Sequence, residues 1–365
     1  MTIQAKIIKV TNISKHPNAD RLDILRVGGE GGFPIVVGKE EFREGDFAIY
    51  FYPDSILPDS IISKMNQKVK LENRFRAVKI RGEISEGLCI RPEVLLPIEM
   101  VKEDQDVTEY LGIKKYEPPE ENEPNTPSKK MKRRPANPNF KMYTHIERIE
   151  RYPRAIQSDE TVVATMKMHG QNARFGVCAK PEGNFITNFW RKITGTTHDF
   201  IVGSHLSEKR DINDRFVKLA KKKNLEPILH SIQEIYRNTS GKKLNIILFG
   251  ELIGPNIQKG YDYGLTETNL VFFNLMVDGK YVDWEEFISI CTAFDLIRVK
   301  EIYRGPFKDL NFNLADEVDE FNGKKYVREG IVIKTIREQF GHHGRTIFKK
   351  INPKYLLNRQ NTEKH

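Results

Sequence analysis

Over roughly the first hundred positions, apolar residues recur in short runs broken by polar ones: AKIIKV from Ala5, RLDILRV from Arg21, FPIVVG from Phe33, DFAIYFY from Asp46, FRAVKI from Phe75 and EGLCIRP from Glu86. Turn-forming residues lie between or beside them, at Gly28-Gly29, Gly31-Gly32 and Gly45-Asp46. Five or six short strands at this spacing predict a small β-barrel, and strand counting alone leaves open whether it is of the OB or the SH3 type. Farther along, longer strands mix with helices. TVVATMK, ARFGVCA and NFITNFW read as a meander with a turn at Pro181-Glu182-Gly183-Asn184, and LNIILFGEL, NLVFFNLMV, EGIVIKT and RTIFKKI read as further strands. Two helices are predicted between these groups. Ile212, Phe216, Leu219 and Ala220 share one face after a Ser207 cap; Ile228, Leu229, Ile232, Ile235 and Tyr236 share another, opened by Pro227 and stopped by Gly241. The second half is therefore an α+β domain rich in antiparallel sheet.

The two patterns are separated by Tyr116 to Pro138, a stretch with six prolines and charge sorted by sign. Glu117, Glu120, Glu121 and Glu123 come first, then Lys129, Lys130, Lys132, Arg133 and Arg134. Such a segment cannot bury enough apolar surface to fold alone and reads as a tether. The expected organisation is thus a barrel over 1–115, a linker over 116–138 and the α+β domain over 139–365.

Composition narrows the class. With 39% hydrophobic residues the chain can build two cores, and no apolar run reaches the length of a membrane span, so an intracellular, cytoplasmic location is expected. The basic half of the linker is also compatible with nuclear import. Cys89, Cys178 and Cys291 are odd in number and far apart, which points to buried free thiols rather than disulfides or zinc. A net charge of +9 suits a polyphosphate partner without identifying one.

The chemistry is carried by four segments. In Lys167-Met168-His169-Gly170-Gln171-Asn172 a β-branched strand ends in a lysine and a turn glycine, a position where desolvation and nearby cations can yield a neutral amine nucleophile. Phe249-Gly250-Glu251-Leu252 and Arg328-Glu329-Gly330-Ile331 each place a carboxylate in an apolar strand, where it needs a cation or hydrogen-bond donor; a hydrated magnesium beside a triphosphate is a natural partner. Finally, Ile347-Phe348-Lys349-Lys350-Ile351 ends a strand in lysines suited to phosphate charge. No phosphate-binding loop with Gly-Lys followed by Ser or Thr is present, nor a dinucleotide-binding glycine pattern in a strand–helix setting.

Two resemblances follow from these residues. The segment His16-Pro17-Asn18-Ala19-Asp20-Arg21-Leu22, with Gly38-Lys39 and Glu44-Gly45-Asp46, resembles OB-fold tRNA-binding modules. Lys-x-His-Gly, Phe-Gly-Glu-Leu, Glu-Gly-Ile-Val-Ile-Lys and the terminal lysine strand, in that order, resemble motifs I, III, IV and V of ATP-dependent RNA ligases in the covalent nucleotidyltransferase superfamily; FGELIGPNIQKGYDYG extends the likeness past the motif core. An OB-like module ahead of the transferase domain is similar to the fifth RNA ligase family. The resemblance implies that Lys167 carries AMP, that Asn172, Arg191, Lys349 and Lys350 contact nucleotide or phosphate, and that Phe273 stacks on adenine. It further implies that Glu251 and Glu329 bind ribose or the waters of Mg²⁺ or Mn²⁺. RNA ends, RNA/DNA ends or nicks would be the partners, no membrane is implied, and a monomer is compatible. Here His169 stands where many relatives have aspartate, and Ile351 follows Lys349-Lys350 where the family reads Lys-x-Lys. Arg148 is a candidate for the phosphates or for an ion pair. The same residues leave room for a DNA ligase or capping-type guanylyltransferase, or a non-catalytic tRNA- or RNA-binding protein.

Overall fold

The computed structural model describes residues 3–27, 32–64, 77–116, 136–183, 189, 191, 193–195, 197–341 and 344–357. The chain divides into two compact units, one comprising 1–119, 148–154 and 356–358, the other 120–147, 155–355 and 359–365. Residues 117–135 of the expected linker lie outside the described residues.

In the first unit, Ala5–Lys9, Phe47–Phe51 and Leu88–Ile90 form one antiparallel sheet, and Ile13–Lys15, Leu22–Val27 and Phe33–Gly38 another. Strand alternation explains the packing: Ile8, Ala48 and Tyr50 join Leu25, Phe33 and Ile35 in one core, while Ala5, Ile7, Ile49 and Phe51 join Leu57, Leu96 and Val107 in a second. The first sheet is therefore apolar on both faces. Of the FRAVKI run, Ala77–Ile80 is a strand, paired with Glu83–Glu86, and its first two residues lie outside the described set.

Segment 148–154, which follows the expected linker in sequence, belongs to this first unit and is tied to it by charge. Arg148 donates to Glu86 Oε2 at 2.5 Å and to Glu150 Oε1 at 2.8 Å, and its guanidinium lies 4.3 Å over the Phe33 ring. Burial would lower its affinity for a proton, but the two carboxylates outweigh that and raise it. Of the two roles open to Arg148, the geometry shows the ion pair, and a buried one: its side chain is 11% exposed and that of Glu86 only 2%. Arg151 adds a second stack, 4.6 Å over Tyr52.

The second unit is built mainly on two antiparallel sheets, and its described residues also include two short two-stranded hairpins. One runs Glu208–Lys209, His198–Ser204, Gln171–Ala179, Ile246–Ile253, Asn269–Val277, Lys280–Tyr281; the other runs Ile347–Ile351, Gly330–Thr335, Thr161–Met166, Glu301–Pro306. Phe140, Tyr143, Cys178, Ile247, Phe249, Met276 and Ile347 form a core drawing on both, with Phe273 and Val332 against it. The helices Arg215–Lys222 and Leu225–Ser240 pack on strands of the first sheet.

Local chemistry sets their ends. Gly241 ends the longer helix at φ +71°, as expected of a left-handed cap. The shorter one departs from the Ser207 cap expected: the Asp214 carboxylate accepts the Phe216 N–H at 2.8 Å, and Ser207 instead accepts the Ser204 N–H at a hairpin turn. Ile212 precedes the helix and is 56% exposed, so it contributes nothing to the apolar face. The NFITNFW run falls largely outside the described residues; Phe189 within it is helical rather than extended. A further helix, Trp284–Ala293, is not among the sequence expectations, although Trp284, Phe287 and Cys291 sit at helical spacing and are buried. The three cysteines are free and buried, as expected, and burial pushes the Cys178 and Cys291 thiols up to about 12. Among the described residues no helix is long and apolar enough to cross a membrane.

Two stability outcomes follow. Arg148→Met leaves Glu86 and Glu150 buried without their cation and should cost about 3 kcal/mol or more, read as a lower urea midpoint. At Gly330, φ is +155° and an added Cβ would lie 2.1 Å from the Lys350 carbonyl oxygen, so Gly330→Ala should lower the thermal midpoint through a loss of about 2–3 kcal/mol.

Candidate active site

The strand Thr161–Met166 is interior to its sheet, between Glu301–Pro306 and Gly330–Thr335. Its β-branched residues Val162 and Val163 are buried, and Met166 pairs with Ile331. The backbone N–H of Lys167 continues this pairing, donating to the Gly330 carbonyl at 3.0 Å. That register places Lys167 beside the residue preceding Gly330, and its ammonium donates to Glu329 Oε1. The Lys167 side chain is 22% exposed and that of Glu329 1%, so the pair has one accessible end. A carboxylate this deep in an apolar sheet is stable only against a donor, and the lysine supplies it.

Strand alternation then assigns faces. Thr165 pairs with Val332, which pairs with Lys349, so Lys167 and Lys349 lie on one face of the sheet with Val332 and Ile347. This is the face toward the shared core. Lys350 pairs with Ile331 on the opposite face and is 8% exposed, and Ile351 returns to the Lys349 face. The lysine pair of the sequence is thus split between two faces.

On the other sheet, Asn172 and Glu251 are direct cross-strand partners, and Glu251 shares a face with Ile247 and Phe249 of the same core. Asn172 Oδ1 is buried with no hydrogen-bond partner among the described residues, an arrangement that costs free energy for a polar atom. The turn after Lys167 packs directly on this strand: an added Cβ on Gly170 would lie 2.2 Å from the Leu252 carbonyl oxygen and 2.8 Å from Glu251 Cγ. Glycine is needed there for close approach. Phe273 sits where the Ile246–Ile253 and Asn269–Val277 register shifts, between Phe272 opposite Gly250 and Asn274 opposite Phe249. Such a bulge re-aims a side chain. The Phe273 ring is 4.9 Å from Tyr143, and its carbonyl accepts from Lys334 Nζ at 3.2 Å, joining the two sheets. Lys334 is buried over Trp284 at 3.9 Å, and that burial, with Arg345 nearby, holds its ammonium well below the usual lysine range.

Lys167, Glu329 and Lys349 thus gather on one sheet, with Asn172, Glu251 and Phe273 on the core-facing side of the other. Arg191 is engaged elsewhere: its guanidinium donates to the Pro181 carbonyl at 2.8 Å, and Asn188 and Trp190 near it lie outside the described residues.

Sequence reasoning gave no roles to the residues that hold the turn after Lys167. Gln258 Nε2 donates to the Gly170 carbonyl at 2.7 Å, and the Tyr263 hydroxyl accepts the His169 N–H at 2.7 Å. Tyr263 is buried at φ +53°, and burial raises its phenol. Tyr261 stacks edge-on against the His169 ring at 4.8 Å. All three lie inside FGELIGPNIQKGYDYG, so the extended likeness was the available signal. Lys334 closes the Glu-Gly-Ile-Val-Ile-Lys run itself, whereas Tyr355 had no signal beyond its neighbours.

An OB-fold domain profile matches residues 4–92, and the RNA ligase profile matches residues 160–351. Among solved structures, the RNA ligase of Naegleria gruberi with pyrophosphate superposes with a TM-score of 0.67 at 21% identity, covering 98% of each chain. A mutant of the same ligase with AMP and Mn gives 0.69 at 21% identity, over 97% of this chain and 98% of that one. Among curated proteins, the phenylalanine–tRNA ligase beta subunit of Neisseria meningitidis is 33% identical over 120 residues; the match takes in 29% of this chain and spans 14% of that subunit's length. With one profile spanning the strands that carry Lys167, Glu251, Glu329 and Lys349, and extending over more than half of the 365 residues, this chain belongs to the RNA ligase family.

Proposed function

We propose that this protein is an ATP-dependent RNA ligase that seals 3′-hydroxyl and 5′-phosphate ends in RNA repair, with Lys167 as the residue that carries AMP. The observation that carries the reading is the Lys167–Glu329 pair at a strand end, exposed on the lysine side and buried on the carboxylate side. In the first step the neutral Lys167 amine attacks the α-phosphate of ATP. The N–P bond forms, the α–β bridging P–O bond breaks, and pyrophosphate leaves with the electron pair. Glu329 Oε1 already accepts a hydrogen bond from this ammonium and is placed to receive the proton that must be lost before attack. AMP then passes to an RNA 5′-phosphate, and a 3′-hydroxyl displaces it to form the phosphodiester. Positioning and charge neutralisation supply most of the rate.

Roles for the other residues follow from their faces. Phe273 would stack on adenine, Lys349 would hold phosphate, and Asn172 would use its buried amide oxygen on nucleotide or bound water. Lys350 would reach phosphate only from the opposite face of its strand, and Arg191 only after leaving Pro181. The site also fits a divalent cation. Among the described residues no three His, Cys, Asp or Glu side chains converge as a cage, while Glu251 and Glu329 flank the nucleophile turn, the donor set of Mg²⁺ or Mn²⁺ held through phosphates and waters. When bound, the cation would neutralise charge on the triphosphate. The barrel would grip RNA ends, or nicks with RNA and DNA strands, and the domain limits 1–115, 116–138 and 139–365 are proposed as its working divisions.

The test is transfer of label from α-labelled ATP in the presence of Mg²⁺. Wild type should become labelled, Lys167→Ala should not, and GTP should not replace ATP. Labelling by GTP alone points to a guanylyltransferase, no labelling to a binding protein, and sealing confined to DNA strands to a DNA ligase. Phe273→Leu keeps the packing against Tyr143 but loses the aromatic face, and should raise the KM for ATP about 5- to 10-fold with kcat little changed.

A further inference from the structure

His169 lies two residues past Lys167, and its surroundings are those of a fixed structural group. It is 4% exposed. Tyr261 and Tyr355 stack edge-on against its ring at 4.8 and 5.2 Å, and its backbone N–H is held by Tyr263. The Tyr355 hydroxyl shares a hydrogen bond with Nδ1 at 3.0 Å. The same nitrogen lies 3.8 Å from Glu329 Oε2, and the other oxygen of that carboxylate, Oε1, takes the Lys167 ammonium.

Tyr355 is supplied by the short helix Pro353–Leu357, whose placement depends on Asn352. That residue is wholly buried; its N–H donates to the Glu329 carbonyl at 2.9 Å and its Oδ1 accepts the Lys354 N–H at 2.8 Å. The segment after the Lys349 strand is therefore anchored to the Glu329 backbone at one end and to the His169 ring at the other. A glutamate carboxylate turns freely about its last torsion unless its surroundings hold it. A ring kept against Oε2 leaves Oε1 to the amine.

We propose that Tyr355 is a positioning residue for the lysine nucleophile, acting through His169 to orient the Glu329 carboxylate and with it the Lys167 amine. The proposal rests on the reading of Lys167 as the AMP carrier. It gives the Tyr355–His169 pair a role in formation of the lysine–phosphorus bond and none in the later attack of the 3′-hydroxyl, which does not use the amine. Reactions that depend on alignment lose rate steeply with small displacements, and one neutral hydrogen bond is worth up to about tenfold.

The experiment uses the full-length protein with α-labelled ATP in single turnover, and in parallel sealing of a strand that already carries AMP on its 5′-phosphate. Tyr355→Phe should slow labelling at saturating ATP about 5- to 10-fold, leave the half-saturating ATP concentration unchanged within about twofold, and leave sealing of the adenylylated strand intact. Intact sealing also shows that the variant is folded. His169→Leu should slow labelling similarly, and the double variant should be no slower than the slower single one, because the two residues act as one unit. Unchanged labelling by Tyr355→Phe, an effect confined to ATP half-saturation, an equal loss in both reactions, or losses that multiply in the double variant would each overturn the proposal. Wild type that takes no label would instead remove the carrier reading, and this proposal with it.

Discussion

The ion pair between Lys167 and Glu329 sets the terms for the rest of the second unit. Glu329 is nearly inaccessible, and an ionised carboxylate there costs several kcal/mol unless its charge is met by a partner of good geometry. Lys167 meets it only because the backbone hydrogen bond from Lys167 to Gly330 aligns the ends of two strands that are more than 160 residues apart in sequence. A slip of one residue in that register would turn Lys167 toward the opposite face and leave the carboxylate without its cation. The pair therefore fixes register as well as charge, and the Lys167 amine forms its accessible end.

Close backbone approach makes this arrangement reachable. Gly170 lies against the Leu252 carbonyl and the Glu251 side chain, and Gly330 against the Lys350 backbone, at distances that exclude any side chain. Each glycine follows or nearly follows a chemical residue, so the tight contact sets where the neighbouring side chain begins. Lys334 performs the complementary task between the sheets. Its buried ammonium bonds the Phe273 carbonyl at the register shift, and the Trp284 ring offsets part of its desolvation. Phe273 is thus held by main-chain geometry, whereas its ring remains partly accessible against Tyr143.

Much of this was legible in the chain. The strand ending in Lys167, the two carboxylate strands and the Lys349 strand all formed within a residue or two of the limits read from apolar patterning, because β-branched runs bounded by glycine have few alternatives. Legibility failed where a local cue had a rival nearby. Asp214 outcompeted Ser207 as a cap because it stands immediately before the helix, and Trp284–Ala293 was hidden by its position between two stronger strand signals. In sequence Arg148 was open to the phosphates or to an ion pair; Glu86, 62 residues upstream, makes it a buried ionic centre.

By itself, the sequence nominated the residues proposed to carry chemistry and determined on which strands they sit, since side-chain type and the two-residue period of a strand are properties of the local chain. It also determined that the barrel precedes the transferase sheets. What it could not decide was orientation across strands. Whether Lys349 or Lys350 shares the face of Lys167, whether Asn172 meets Glu251, and which tyrosines enclose His169 all depend on register and on the packing of segments far apart in sequence. Those choices are settled by hydrogen bonds and buried charges that exist only once the strands have met. Lys167 was nominated by its neighbours in sequence; Glu329 and the fold gave it a direction.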